Sequence, residues 1–432
     1  MFPNPQAALP LPTRPNLEQY KKLAKDLVRA CKSNEADAIG VWAAKWIETL
    51  VRLTGLTITT QMPVRVETWV NQVEEFARRK MASSKGADSG LADAQFIIAR
   101  SHGFESWPKF AKHLEAITRK TSPVPRFEAA ADAIVNGDIT TLERLLREEP
   151  ELIRARSTRE HRATLLHYIS ANGIEDYRQK SPKNAAEIAE VLLRAGAEVD
   201  AEADVYGGGA TTLGLVATSV HPERAGVQNV LIQILLDHGA VIDHPRGAGN
   251  DHRAVNGCLH NGRPQAAEFL AARGAHLDLE GAAGVGRLDV VKSFFNDDGS
   301  LKPAATKAQM ESGFIWACEY GRKDVVEFLL DKGVDLRSGE NTGETALHLA
   351  AHRGQLQMIK LLLERGAPLE AKNVYGGTVL GQATWSVMHG DPSIDFVPVI
   401  EALLAAGARI EEADYPTGNE GVDEVLRRHR AS

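Results

Sequence analysis

Cysteine is scarce in this 432-residue chain, with Cys31, Cys258 and Cys318 as its whole complement. Three scattered thiols cannot form a disulfide framework or a thiolate metal site, and they suit a reducing compartment. Aromatic residues make up only 6%, against 37 glycines. That balance fits many short elements joined by glycine turns. No run approaches the roughly 18 apolar residues of a spanning helix. The opening MFPNPQAALPLPTRP has neither the basic start nor the apolar centre of a signal peptide. A cytoplasmic chain is expected. No HExxH, CxxC or GxSxG pattern occurs, so neither a metal site nor a cofactor is expected.

What is present is a folding composition, 43% hydrophobic and 25% charged. The length exceeds one compact domain and predicts more than one folding unit. Charge is unevenly spread. Residues 1–125 hold 18 Lys/Arg against 12 Asp/Glu, whereas the remainder holds 32 against 45. The acidic remainder is a poor generic surface for nucleic acid, because phosphate binding needs positive charge. The basic N-terminal part is either an ordinary solvated face or a surface that docks on the acidic remainder.

Five prolines and no hydrophobic period make residues 1–15 a flexible arm by composition. Residues 16–125 read as a helical N-terminal domain. Leu23 and Leu27 share a face, as do Trp42, Trp46 and Leu50, and Val66, Val70 and Val73. MASSKGADSG (81–90) is a linker by composition, and two short helices follow, broken at His102-Gly103. A long-range regularity begins after Arg126. A leucine-rich stretch ending in Gly-Ala or a close variant recurs at 192–200, 235–243, 269–278, 328–336, 361–370 and 403–411. Gly321 and Gly354 are 33 residues apart, as are Gly333 and Gly366. A fixed period of this size signals a solenoid.

The clearest unit is ENTGETALHLAAHRGQLQMIKLLLERGAPLEAK at 340–372. It resembles the ankyrin-repeat family's turn, Thr-Pro-Leu-His, helix, Gly, helix, Gly-Ala pattern, with Ala346 where the family usually has proline. The resemblance covers 126–413 and implies an all-α repeat solenoid of about eight degenerate units with short β-hairpin turns. The fifth unit, 279–306, is short enough to lack a hairpin. Residues 414–432 form a capping helix and tail. LADAQFIIARSHGFESWPKF resembles a helical region that precedes ankyrin repeats in some bacterial proteins. The chemistry of the motif is legible. Thr345 can cap the first helix, and Gly354 permits the turn between the helices. Gly366 supplies a positive φ at the second helix's end. Valine at Gly366 is expected to combine that strain with crowding. His167 and His348 hold the family's structural histidine position.

The resemblance implies that binding uses a concave face of hairpin tips and first helices. Carried onto this chain, it gives Tyr168, His260, Trp316, Tyr320, His352, Arg353, Tyr375 and Trp385 as candidate contacts. Tyr320 is expected to be an exposed anchor whose loss barely affects folding. Extra residues at 172–183, 218–227 and 385–396 are expected to project from one edge, the first two as a wall of a pocket. Asp243-His244, Asp251-His252 and His260 lack metal-site spacing. YGGG at 206–209 and YGG at 375–377 read as hairpin turns rather than phosphate loops. Two functions stay open. One is a non-catalytic scaffold that binds a protein or peptide, with acidic surroundings favouring a basic partner, and no nucleic acid or membrane. The other is an enzyme or small-molecule site using Tyr168, Tyr177, His221, Trp316 or His389.

Overall fold

The protein is described by a computed structural model over residues 2–33, 35–54, 62–83, 89–119, 121–245, 253–339 and 342–430. It divides into two compact units, 1–252 and 253–432.

The first unit opens with helices Leu17–Lys32, Ala38–Thr54, Met62–Ala82, Ser89–Ser101 and Trp107–Thr118. Asn16 starts the first of them by accepting the Glu18 N–H through its side chain. The apolar stripes converge as their spacing predicts, with Leu27, Trp46, Leu50, Trp69, Val73 and Phe110 in one core. The break at His102-Gly103 turns inward. His102 lies stacked on Phe110, with ring centroids 5.2 Å apart, and burial pushes its pKa down to about 3.

The proline-rich arm is not loose. Ala8 and Leu9 are fully buried, and the Leu9 N–H donates to the Ser101 carbonyl at 2.7 Å. The carbonyls of Pro5 and Gln6 accept from the Glu175 and Asp176 N–H groups at 3.2 and 2.7 Å. A test for helical or strand periods cannot see a segment held by distant hydrogen bonds and by the burial of Ala8 and Leu9.

Helix pairs follow without a break in packing at residue 125. The Glu160 N–H donates to the Gly103 carbonyl at 2.8 Å, and the His113 imidazole meets the Thr158 hydroxyl at 2.6 Å. The pairs are Val124–Asn136 with Ile139–Glu148, the 3-10 segment Leu165–Ser170 with Ala185–Arg194, and Thr212–Thr218 with Gln228–Asp237. A two-residue antiparallel ladder joins Glu202–Ala203 to Ala210–Thr211.

The second unit contains five helix pairs among its described residues. Their first helices are Ala254–His260, Leu279–Gly284, Lys307–Glu319, Ala346–His352 and Val379–His389, each packed on the next. Their partners are Pro264–Ala271, Leu288–Ser293, Lys323–Asp331, Leu356–Glu364 and Val397–Ala405. The shortened 279–306 segment keeps both helices, and only a single bridge, Phe295 to Leu301, stands in the place of a hairpin. Small residues such as Ala282, Ala283, Ala350 and Ala383 are fully buried along the seam, so neighbouring helices approach closely. Helix Glu420–Arg430 ends the unit, burying Val422, Val425 and Leu426 and keeping its basic last turn outside.

The repeat motif works as local chemistry predicts. The Thr345 N–H donates to His348 Nδ1 at 3.2 Å, and His348 Nε2 reaches the Gly377 carbonyl of the next hairpin at 3.3 Å. His167 does the same between Thr164 and the Ala210 carbonyl. Burial lowers its pKa to about 4, so the ring stays neutral. Gly366 has a φ of 82°, but a Cβ there would meet nothing within 4 Å. The expected crowding is absent, and only the backbone strain remains.

Candidate functional site

An open groove of about 930 Å³ runs along the second unit. Its floor comes from the first helices. Leu349 and Trp316 lie there, and Trp316 is only 7% exposed. One wall is the hairpin tip ahead of the last repeat. Asn373 shapes it, its side-chain oxygen accepting the Tyr375 and Gly377 N–H groups at 3.0 and 2.9 Å. The Val374 N–H donates to the Thr342 carbonyl at 2.8 Å, tying this tip to the preceding one. Tyr375 stands clear of both at 82% exposure.

The C-terminal part of helix Val379–His389 also lines the groove. Trp385 is 47% exposed, and Met388 beside it is also exposed. Trp385 stacks on His389 at 4.7 Å and faces His352 at 6.0 Å. His352 Nδ1 lies 2.9 Å from the Ser386 hydroxyl and 3.2 Å from the Gln382 amide. Burial, and then the charge of Arg353, lower the pKa of His352. The inserted residues 385–396 partly extend this helix, and Ile394 returns from the loop to pack over Gly354.

Four carboxylates and one guanidinium line the groove. Arg353 is engaged by Glu319 at 2.9 Å and lies over the Tyr320 ring at 5.6 Å. A Cβ on Gly262 would lie 2.7 Å from its guanidinium, so glycine makes room for it. Glu411 holds Lys372 at 2.7 Å. Asp414 is buried, accepting the Glu411 N–H at 2.7 Å. Burial is the main cause of its raised pKa. Glu344 accepts the Thr342 hydroxyl at 2.9 Å and has no ion pair among the described residues.

The eight residues expected as contacts therefore part company. His260, Trp316, His352, Arg353, Tyr375 and Trp385 line this groove. Tyr320 is half-buried and is not a free anchor. Its hydroxyl donates to the Leu259 carbonyl at 2.5 Å, which staples two repeats together. Tyr168 belongs to the first unit and is 3% exposed. Its 3-10 segment turns the ring inward, 6.2 Å from Phe127 and 5.7 Å from the Arg178 guanidinium.

The inserted residues 172–183 fold inward as well, instead of projecting as a pocket wall. Glu175, Tyr177 and Arg178 are buried. Arg159 bridges Glu128 and Glu175, each at 2.9 Å, and Arg178 bridges them at 2.8 and 3.0 Å. Burial opposes ionisation of Glu128, but the two guanidinium groups overcome it and hold its pKa at about 2. Glu175, with a φ of 27°, is likewise held well below the usual range. Tyr168 and Tyr177 thus sit in a core and do not line a cleft. Sequence reasoning missed this network, because its members are spread over 50 residues with no motif between them. Residues 218–227 form a short helix, Val220–Arg224, against Gln228–Asp237. Asp251 and His252 lie outside the described residues, and among the described ones no group of three or more His, Cys, Asp or Glu is placed to hold a metal.

With this geometry in place, comparison with known proteins agrees on the family. Residues 279–373 and 314–414 match the family model described as ankyrin repeats in three copies. The matched stretch, residues 279–414, is built of ankyrin repeats. The Caenorhabditis elegans E3 ubiquitin-protein ligase hecd-1 is 38% identical over 68 residues, 16% of this chain and 2% of that protein. Zebrafish (Danio rerio) inversin is 37% identical over 65 residues, 15% of this chain and 6% of that protein. A probable 26S proteasome regulatory subunit p28 of Saccharomyces cerevisiae is 32% identical over 116 residues, 26% of this chain and 50% of that protein. This chain spans only a small part of the first two relatives. The crystal structure of the human ASB11 ankyrin repeat domain aligns with 22% identity and a TM-score of 0.33, covering 65% of this chain and 99% of that one.

Proposed function

We propose that the second unit is a non-catalytic docking surface for a protein or peptide, with basic segments favoured and nucleic acid disfavoured. The observation that carries this reading is the exposure of Tyr375, Trp385 and Met388 on one groove whose lining charge is mainly acidic. Large aromatic side chains left in water lose little entropy on contact and act as anchors. His260, His352 and Arg353 give polar points along the same surface, with Trp316 beneath. Packed repeats make the surface rigid, so binding costs little ordering on this side. One relative is named as a regulatory subunit, and that role accords with this reading. The three free thiols suit a cytoplasmic encounter.

Affinity capture by the intact chain tests the reading. Proteins held by the parent should be lost by a variant carrying Tyr375→Ala and Trp385→Ala. An identical set captured by both would remove the groove from consideration.

A further inference from the structure

Resting on that reading, we propose that the segment entering the groove is anchored by an arginine, whose guanidinium lies on the Trp385 indole within reach of Glu344. Two observations converge on this side chain. First, the indole is 47% exposed although His389 stacks against it, so an open aromatic surface is held in a fixed pose. A planar cation fits such a surface better than a compact ammonium does.

Second, the local charge is negative and uncommitted at one point. Arg353 and Lys372 are engaged by Glu319 and Glu411. Glu344 meets only a hydroxyl among the described residues. Glu344 lines the same groove as His352 and Trp385, whose rings lie 6.0 Å apart. Carboxylate, imidazole and indole therefore form one neighbourhood.

A random octapeptide library displayed to the intact chain tests this, with recovered peptides measured by fluorescence anisotropy on the parent, Trp385→Ala, Glu344→Gln and Tyr375→Ala. The expected peptides share an arginine. Changing that arginine to leucine should weaken binding about tenfold, and changing it to lysine several-fold. Trp385→Ala and Glu344→Gln should each weaken it about fivefold or more. Glu344→Gln keeps the side chain's shape, so it remains informative if Trp385→Ala disturbs the fold. Arginine-free peptides that still depend on Trp385 or Tyr375 would overturn the arginine anchor and leave the docking surface standing. Peptides indifferent to all three variants would overturn both. An empty selection also counts against the anchor.

Discussion

At the scale of single residues, the groove combines side chains offered to solvent with side chains already spent on the repeats. Tyr320 is of the second kind. Its hydroxyl holds the Leu259 carbonyl, and the Arg353 guanidinium covers its ring. Burial, and then Glu319, raise its pKa. Tyr320→Phe should cost about 1 kcal/mol, the worth of the lost hydrogen bond. Tyr320→Ala should cost about 2 kcal/mol or more, because the packed ring goes too. Thermal unfolding of the second unit measures both, and unchanged melts would show that the tyrosine does not staple the repeats. From sequence, Tyr320 and Trp385 look alike, as both sit near the end of a first helix. What separates them is which residue the adjacent repeat places opposite, and that depends on the stacking offset rather than on the motif.

At the scale of elements, the repeat helices were legible because their apolar period and glycine turns act locally. The 172–183 insertion was not. Its polar composition reads as a surface loop, yet Arg159, Arg178, Glu128 and Glu175 neutralise one another in the core. A buried ion pair is weak support for stability as a whole, but losing one partner strands the other charges. Glu175→Gln should therefore destabilise the first unit by about 3 kcal/mol. Denaturant unfolding followed by tryptophan fluorescence reads this unit well, since Trp42, Trp46, Trp69 and Trp107 all lie in it. A midpoint equal to the parent's would show that the network contributes nothing net. The order of the proline-rich arm is hidden for a related reason, because it comes from residues more than 90 positions away.

At the scale of the whole molecule, acid should act first on the first unit. His102, His113 and His167 are buried there, and burial lowers their pKa values to about 3, 4 and 4. The unfolded value is about 6.5. Between those limits the unfolded chain takes up protons that the folded chain refuses. Stability present above pH ~6.5 is therefore lost as pH falls, by roughly 1.4 kcal/mol per histidine per pH unit. Below about pH 4 the carboxylate of Glu128 adds to the loss, because its folded pKa is also depressed. Urea midpoints at pH 7, 6 and 5 should fall in sequence, and a flat series would mean that these rings titrate normally in the folded state. In the sequence His167 stands at a motif position and His102 at a helix break, and packing is what reveals that the three rings stay uncharged.

The seating of Pro5 and Gln6 against Glu175 and Asp176 has a temporal side. A ribosome adding about 5–20 residues per second needs roughly ten to thirty seconds to travel between those two places. During that interval Pro5 and Gln6 lack these two partners, although Leu9 can already meet the Ser101 carbonyl. Pro5 and Gln6 thus complete their hydrogen bonds later in synthesis than Leu9 does, once the loop between Leu165–Ser170 and Ala185–Arg194 has been made.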